Sequence, residues 1–225
     1  MSFDTQRMNP NQSGSADGEG DDDEGESSVD PPMAIVVMGV SGSGKTVLAR
    51  ELSTILDWPY AEGDDFHPTD NIRKMASGVP LVDADRWGWL RSIAGWMDAS
   101  AARGESVVVS CSALKKSYRD VLRRSGTVFV CLNGSRDALR NRLAGRTGHF
   151  MKVDMLDSQL TDFEPPQDDE RHVDIDVGRG MDPEEEAMTV LTILGLAPAA
   201  DLDSGMVGAG RGDRGHRPSR VPAGK

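Results

Sequence analysis

The residues with the clearest chemical purpose are Gly39-Val40-Ser41-Gly42-Ser43-Gly44-Lys45-Thr46. Their spacing is G-x-x-x-x-G-K-[ST], that of a phosphate-binding loop. Glycines let the backbone curl so that its N–H groups point inward at an anion. Lys45 has the reach and charge to compensate the β- and γ-phosphates of a nucleoside triphosphate. The Thr46 hydroxyl is a hard oxygen ligand suited to Mg²⁺. A second concentration of chemical groups follows in Glu62-Gly63-Asp64-Asp65-Phe66-His67-Pro68. Acidic residues at the carboxyl end of a strand beside a phosphate loop lie where open α/β sheets bind ligands. A third is a late run of arginines. Arg142 and Arg146, next to Gly145 and Gly148, suit a mobile lid that brings cations over a transferring phosphoryl group. Arg136 and Arg140 read as a solvated helix face.

These groups need a scaffold, and the pattern around them supplies one. Met33 to Met38 is a short apolar run suited to a strand buried on both faces. Val47, Leu48, Leu52 and Ile55 recur at helical spacing, so a helix opens where the loop ends and adds its positive dipole end. Further strands are predicted at 58–61, 106–111, 127–132 and 173–177. Helices are predicted at 69–76, from a cap at Asp83 or Asp85 to a stop near Gly104, at 114–124, after Ser135, at 155–163 and after Asp182. The Asp182-Pro183-Glu184-Glu185 stretch combines a cap, a proline at the first helical position and a glutamate at the third. Strands alternating with helices give a parallel sheet covered on both faces with right-handed crossovers. The fold class is therefore α/β, a three-layer α/β/α phosphate-loop NTPase fold.

Of 225 residues, those at 1–32 and 199–225 carry few large apolar side chains and are expected to be disordered tails. Residues 33–198 form the predicted domain, with a substrate region at about 62–103 and a lid at about 145–165. The formal net charge of −12 argues against non-specific nucleic-acid binding. No signal-like leader and no membrane-length apolar stretch is seen. Cys111 and Cys131 read as buried free thiols of a reducing cytosol, so the expected compartment is the cytoplasm. A GTPase would need N-K-x-D after a strand, which is missing. The third strand ends in Ser110-Cys111-Ser112 and not in the aspartate usual in motor ATPases.

Five stretches together resemble the bacterial-type gluconokinase family, relatives of shikimate and nucleoside-monophosphate kinases. They are G-V-S-G-S-G-K-T at 39–46, E-G-D-D-F-H-P at 62–68, N-I-R-K-M-A-S-G-V-P-L at 71–81 with D-A-D-R-W at 83–87, C-S-A-L-K-K-S-Y-R-D at 111–120, and G-H-F-M-K at 148–152. The resemblance spans residues 33–196. It implies transfer of the ATP γ-phosphoryl group to the 6-hydroxyl of D-gluconate, with ATP and Mg²⁺ as cofactors and a homodimer as the assembly. An anionic polyol needs cations for its carboxylate and hydrogen-bonding groups for its hydroxyls. Asp64 is the first choice to orient or deprotonate the attacking hydroxyl. Glu62, two residues earlier on the same side of an extended segment, is assigned to Mg²⁺ through water, although related kinases more often carry Asp there. His67 suits a sugar hydroxyl, or equally a turn before Pro68. Lys74 and Arg86 are candidate ligands for carboxylate or hydroxyl, with Arg the better fork. The resemblance gives Ser112, Lys115 and Lys116 contacts to substrate or phosphate. Two lysines at a helix start oppose its dipole unless an anion is near. His149 and Lys152 belong to the presumed lid. The alternatives are a shikimate-kinase-like kinase of another polyol acid and a non-catalytic nucleotide-binding regulator.

Overall fold

The computed structural model describes residues 31–144, 153–196 and 198. The tails expected at 1–32 and 199–225 fall almost wholly outside these residues, as do residues 145–152 of the lid expected at 145–165. Five parallel strands form one sheet in the order β2–β3–β1–β4–β5 among the described residues. They are β1 (Ala34–Met38), β2 (Tyr60–Glu62), β3 (Val107–Ser110), β4 (Thr127–Asn133) and β5 (His172–Asp176). Among the described residues seven α-helices connect or follow them: α1 (Lys45–Leu56), α2 (Thr69–Ala76), α3 (Asp83–Ala101), α4 (Lys116–Leu122), α5 (Arg136–Ala144), α6 (Val153–Asp162) and α7 (Pro183–Leu194).

The apolar run of β1 divides between two cores. Ile35 and Val37 pack with Leu48 and Leu52 of α1 and Val190 and Leu191 of α7. Val36 and Met38 turn the other way, to Trp89, Leu90, Ile93 and Met97 of α3 and Tyr118 and Leu122 of α4. A strand with helices on both faces shows no polar alternation, which is why the sequence reads as a continuous hydrophobic stretch. Each such buried side chain contributes about 1.5–3 kcal/mol, so neither face of β1 has room for a polar residue.

Several element ends differ from the sequence expectation, each for a local reason. Trp58 belongs to the turn that ends α1: Asp57 stands at φ 54°, Trp58 N–H donates to Ser53 O, and β2 starts only at Tyr60. The helix expected at 114–124 is the shorter α4, because Ala113 sits at φ 40° and Arg123 is extended. Neither Asp83 nor Asp85 is the N-cap of α3. Val82 holds that position, and the Asp85 carboxylate reaches back to accept its N–H at 2.8 Å. The α7 start is as expected, with Asp182 and Glu185 exchanging backbone and side-chain hydrogen bonds at 2.9 Å. Ser135 likewise caps α5, accepting Ala138 N–H.

Candidate active site

The phosphate loop joins β1 to α1 at the carboxyl edge of the sheet. Gly39, Gly42 and Gly44 stand at φ 137°, 82° and 112°, a region other residues rarely adopt, and this curls the loop. A Cβ on Gly39 would also come within 2.6 Å of the Leu132 carbonyl oxygen. Lys45 Nζ donates to Val40 O at 3.0 Å, so the side chain lies along the loop. Three distant segments brace it. Gln159 of α6 accepts Ser41 N–H at 2.6 Å and donates to Ser41 Oγ at 3.0 Å. Arg142 of α5 donates to Ser43 O at 2.9 Å and ion-pairs with Glu186 of α7, which is almost fully buried. Ser112 O accepts Gly39 N–H at 3.3 Å. Arg142 thus faces the loop from α5, while Arg146 lies outside the described residues, with His149 and Lys152. The buried Ser43 hydroxyl has no partner among the described residues. An opening of about 300 Å³ adjoins the loop, lined by Gly42, Gly44, Val47, Arg142, Met181 and Pro183 together with Glu186.

The acidic segment meets this loop because three strand ends are in register. Val37 pairs with Ser110, and Ser110 pairs with Glu62. Adjacent strands are about 4.8 Å apart, so the end of β2 lies roughly 10 Å from the start of the loop. Glu62 closes part of that gap. Its Oε2 accepts Thr46 Oγ1 at 2.9 Å and Tyr60 OH at 2.7 Å, and its Oε1 accepts the Ser110 hydroxyl. Two carboxylate oxygens offer about four acceptor sites, so one remains. Thr46 gives its proton to Glu62 and keeps its lone pairs for another partner. Burial, with the neighbouring carboxylate, pushes Tyr60 up to about 12, so it stays a donor.

Beyond Glu62 the chain makes a single tight turn, Gly63–Phe66, which holds the exposed Asp64. A Cβ on Gly63 would overlap the Ser110 carbonyl oxygen, so only glycine lets this turn lie against β3. Trp89 Nε1 donates to Gly63 O at 2.6 Å. The Trp89 ring stacks on His67 at 4.4 Å. Burial drives the Cys111 thiol up to about 12, and the charges of Asp64, Lys45 and Glu62 all act on it. Cys111 N–H donates to Val37 O at 3.0 Å, which ties the end of β3 to β1 just ahead of the phosphate loop.

The remaining candidates line the far side. His67 Nδ1 contacts Asn71 Nδ2 at 3.3 Å, and burial holds its imidazole below the ordinary range. Lys74 ion-pairs with Asp85 at 2.5 Å and holds that carboxyl low. Arg86 donates to Leu81 O at 3.3 Å and lies over the Tyr118 ring at 5.6 Å; its buried Nε has no partner among the described residues. Asp83 accepts Tyr118 OH at 2.5 Å and Lys115 Nζ at 3.0 Å, both of which lower its pKa. Lys116 pairs with Asp169 at 2.9 Å. The anions that two lysines at a helix start demand are thus supplied by the protein itself. Trp87 packs edge-on against Tyr118 at 5.5 Å as part of the same wall.

Sequence reasoning passed over Tyr60, Ser110, Trp89, Gln159 and Glu186. Tyr60 carried a usable signal, since it stands two residues before Glu62 and extended chain puts both on one side. The others act from elements remote in sequence. Among the described residues no group of three or more His, Cys, Asp or Glu could hold a metal, and no helix is long and apolar enough to cross a membrane. A divalent cation here would rest on Thr46, Glu62 and the phosphates of its ligand, the usual pattern for Mg²⁺.

No family model matches the chain. Comparison with curated proteins finds 43% identity over 164 residues to a probable gluconokinase of Xenopus tropicalis, covering 65% of this chain and 86% of that protein. Among solved structures, an unliganded sugar kinase from Janibacter is similar with a TM-score of 0.69 at 44% identity, covering 75% of this chain and 98% of that one. A gluconokinase from Sinorhizobium meliloti 1021 is similar with a TM-score of 0.65 at 44% identity, covering 77% and 97%.

Proposed function

The chain belongs to the gluconokinase family, and from that premise we infer that it transfers the γ-phosphoryl group of ATP to the 6-hydroxyl of D-gluconate. The products are 6-phospho-D-gluconate and ADP. The observation that carries the reading at the level of residues is the 2.9 Å hydrogen bond from Thr46 to Glu62, which joins the phosphate loop to the acidic segment at the edge where β1, β3 and β2 end in register.

The loop N–H groups and Lys45 hold the triphosphate, and the opening beside Met181 and Pro183 takes the nucleoside end. Mg²⁺, when bound, neutralises phosphate charge; Thr46 would hold it directly and Glu62 through water, using the one acceptor site left on its carboxylate. Asp64 accepts a hydrogen bond from the attacking hydroxyl and aligns it. Phosphoryl transfer needs positioning and charge compensation more than strong base catalysis. Arg86, with its unpartnered Nε, is the best-placed fork for the sugar-acid carboxylate. Lys74, Lys115 and Lys116 supply further positive charge, and His67 and Ser112 offer hydrogen bonds to hydroxyls. Lys74, Lys115 and Lys116 already share internal carboxylates, so substrate must exchange partners with Asp85, Asp83 and Asp169. Arg142 steadies the loop from α5 and, with Arg146, completes the cationic side of the transfer. The free, buried Cys111 and Cys131 support a cytoplasmic enzyme. A homodimer is carried over from the family as part of the same proposal.

A coupled ADP-release assay tests this with D-gluconate, its epimers, shorter sugar acids and shikimate. Turnover with gluconate well above the rest is expected. Turnover with another acid and none with gluconate overturns the substrate assignment. ATP binding without any turnover, lost when the two tails are removed, favours a regulator instead.

A further inference from the structure

We propose that Arg119 is a positioning residue for the acceptor side of the reaction, acting through the Ala113–Leu114 turn on Lys115. The inference rests on the family reading and on Lys115 meeting the sugar acid.

Arg119 lies on α4 yet is fully buried, and so is its partner Glu170. Its Nε donates to Glu170 Oε1 at 2.6 Å and its Nη2 to Oε2 at 3.0 Å. Nη2 also reaches Pro165 O at 3.3 Å. Nη1 serves Glu164 O at 2.8 Å and the Ala113 and Leu114 carbonyls at 3.2 Å each. One planar cation thus ties three stretches of chain: the turn after β3, the residues after α6, and the approach to β5. A buried ion pair of this kind is poor value as stabilisation, since desolvation offsets much of the attraction. Its placement is explained by what it holds.

What it holds is strained. Ala113 has a side chain, is fully buried, and stands at φ 40°, a conformation costing about 1–2 kcal/mol that persists only where the surroundings enforce it. The very next residues are Leu114 and Lys115. Lys115 leaves the turn in extended conformation and points its Nζ at Asp83, over the Tyr118 ring at 5.6 Å. Across the turn, Leu114 O accepts Glu164 N–H at 2.9 Å, and the Glu164 carboxylate accepts Lys116 N–H at 2.7 Å. Arg119 is therefore the common anchor of the turn that aims Lys115 and of the chain just beyond α6, whose Gln159 touches the phosphate loop. A lysine would keep the charge but lacks the planar fork that serves these acceptors together.

The test is a double-mutant cycle on the full chain with Arg119→Lys, Lys115→Ala and the double variant. Each is read by KM for gluconate, KM for ATP, kcat and thermal midpoint. Arg119→Lys is expected to raise the gluconate KM by about tenfold and to leave the ATP KM within about twofold, and the double variant should be no worse than Lys115→Ala alone. Additive effects, equal changes in both KM values, or a lowered melting point with unchanged gluconate KM each overturn the proposal. If Arg119→Lys does not stay folded at assay temperature, Glu170→Gln, which keeps shape and removes charge, takes its place in the same cycle. Wild-type protein without gluconate turnover overturns the family reading and this inference together. Wild-type turnover with an additive cycle overturns this inference alone.

Discussion

Around the phosphate loop the backbone makes the site. Three glycines at positive φ shape it, and Gln159, Arg142 and Glu62 brace it from outside. Around the acidic turn and the α2–α3 wall, side chains make the site. Asp83, Asp85 and Asp169 each hold a lysine, and His67 and Trp89 stack to fix the turn. The first arrangement can be ready before ligand arrives. The second has its lysines already engaged, so an anionic substrate drawn to them gains only the difference between its own carboxylate and the one it displaces. A donor common to many kinases can be met by rigid main chain, while the choice of acceptor rests on exchangeable ion pairs.

The largest test of this contrast is Lys45→Ala. Removing the one cation of the loop should lower turnover by about a thousandfold with the thermal midpoint little changed. A loss below tenfold would mean that main-chain groups alone carry the phosphates. Asp64→Asn comes next, with kcat down by about a hundredfold and ATP affinity nearly unchanged. Equal loss of ATP binding would move Asp64 to the donor side and break the division drawn here. A third comparison sets Gly63→Ala against Gly78→Ala in urea unfolding. Gly63 lies against the Ser110 carbonyl and should cost more than 2 kcal/mol, whereas Gly78 (φ 77°) has open space and should cost about 1 kcal/mol. The smallest effect is in pH. Burial lowers the His67 pKa in the fold, so the unfolded chain binds a proton first. Stability is then full above about pH 6.5 and is lost as pH falls through the lower folded value. His67→Gln should flatten the fall in urea midpoint between pH 7 and pH 5. Asp83, Asp85, Asp98 and Asp169 are also lowered, and they act in a separate window below about pH 4.

The donor half was legible because its signals are local. Strand, loop and helix follow one another within residues 34–56, and each glycine has a backbone reason. The α7 start was legible for the same reason, as a cap and its reciprocal glutamate lie three residues apart. The acceptor half was legible as a list of residue types but not as an arrangement. Nothing near Lys116 announces Asp169, and nothing near Arg119 announces Glu170, 51 positions later. A helical arginine is normally solvated, whereas tertiary packing buries Arg119. Glu62 shows the same limit. Its proximity to Asp64 was visible, but the three hydroxyl donors that hold it come from β2 itself, β3 and α1.

β1 occupies the middle of the sheet, and both of its neighbours come later in the chain. Its pairing with β3 awaits residue 110, and its pairing with β4 awaits residue 131. At the usual pace of translation, roughly 5–20 residues per second, Ala34–Met38 waits about 5–20 seconds between its own synthesis and its last partner strand. During that wait a naked hydrophobic ribbon with unsatisfied amides on both sides leaves the ribosome. The nascent chain is then most exposed to aggregation and to chaperones, and the strand that leads into the phosphate loop, though made first, gains its second neighbour only after more than ninety further residues.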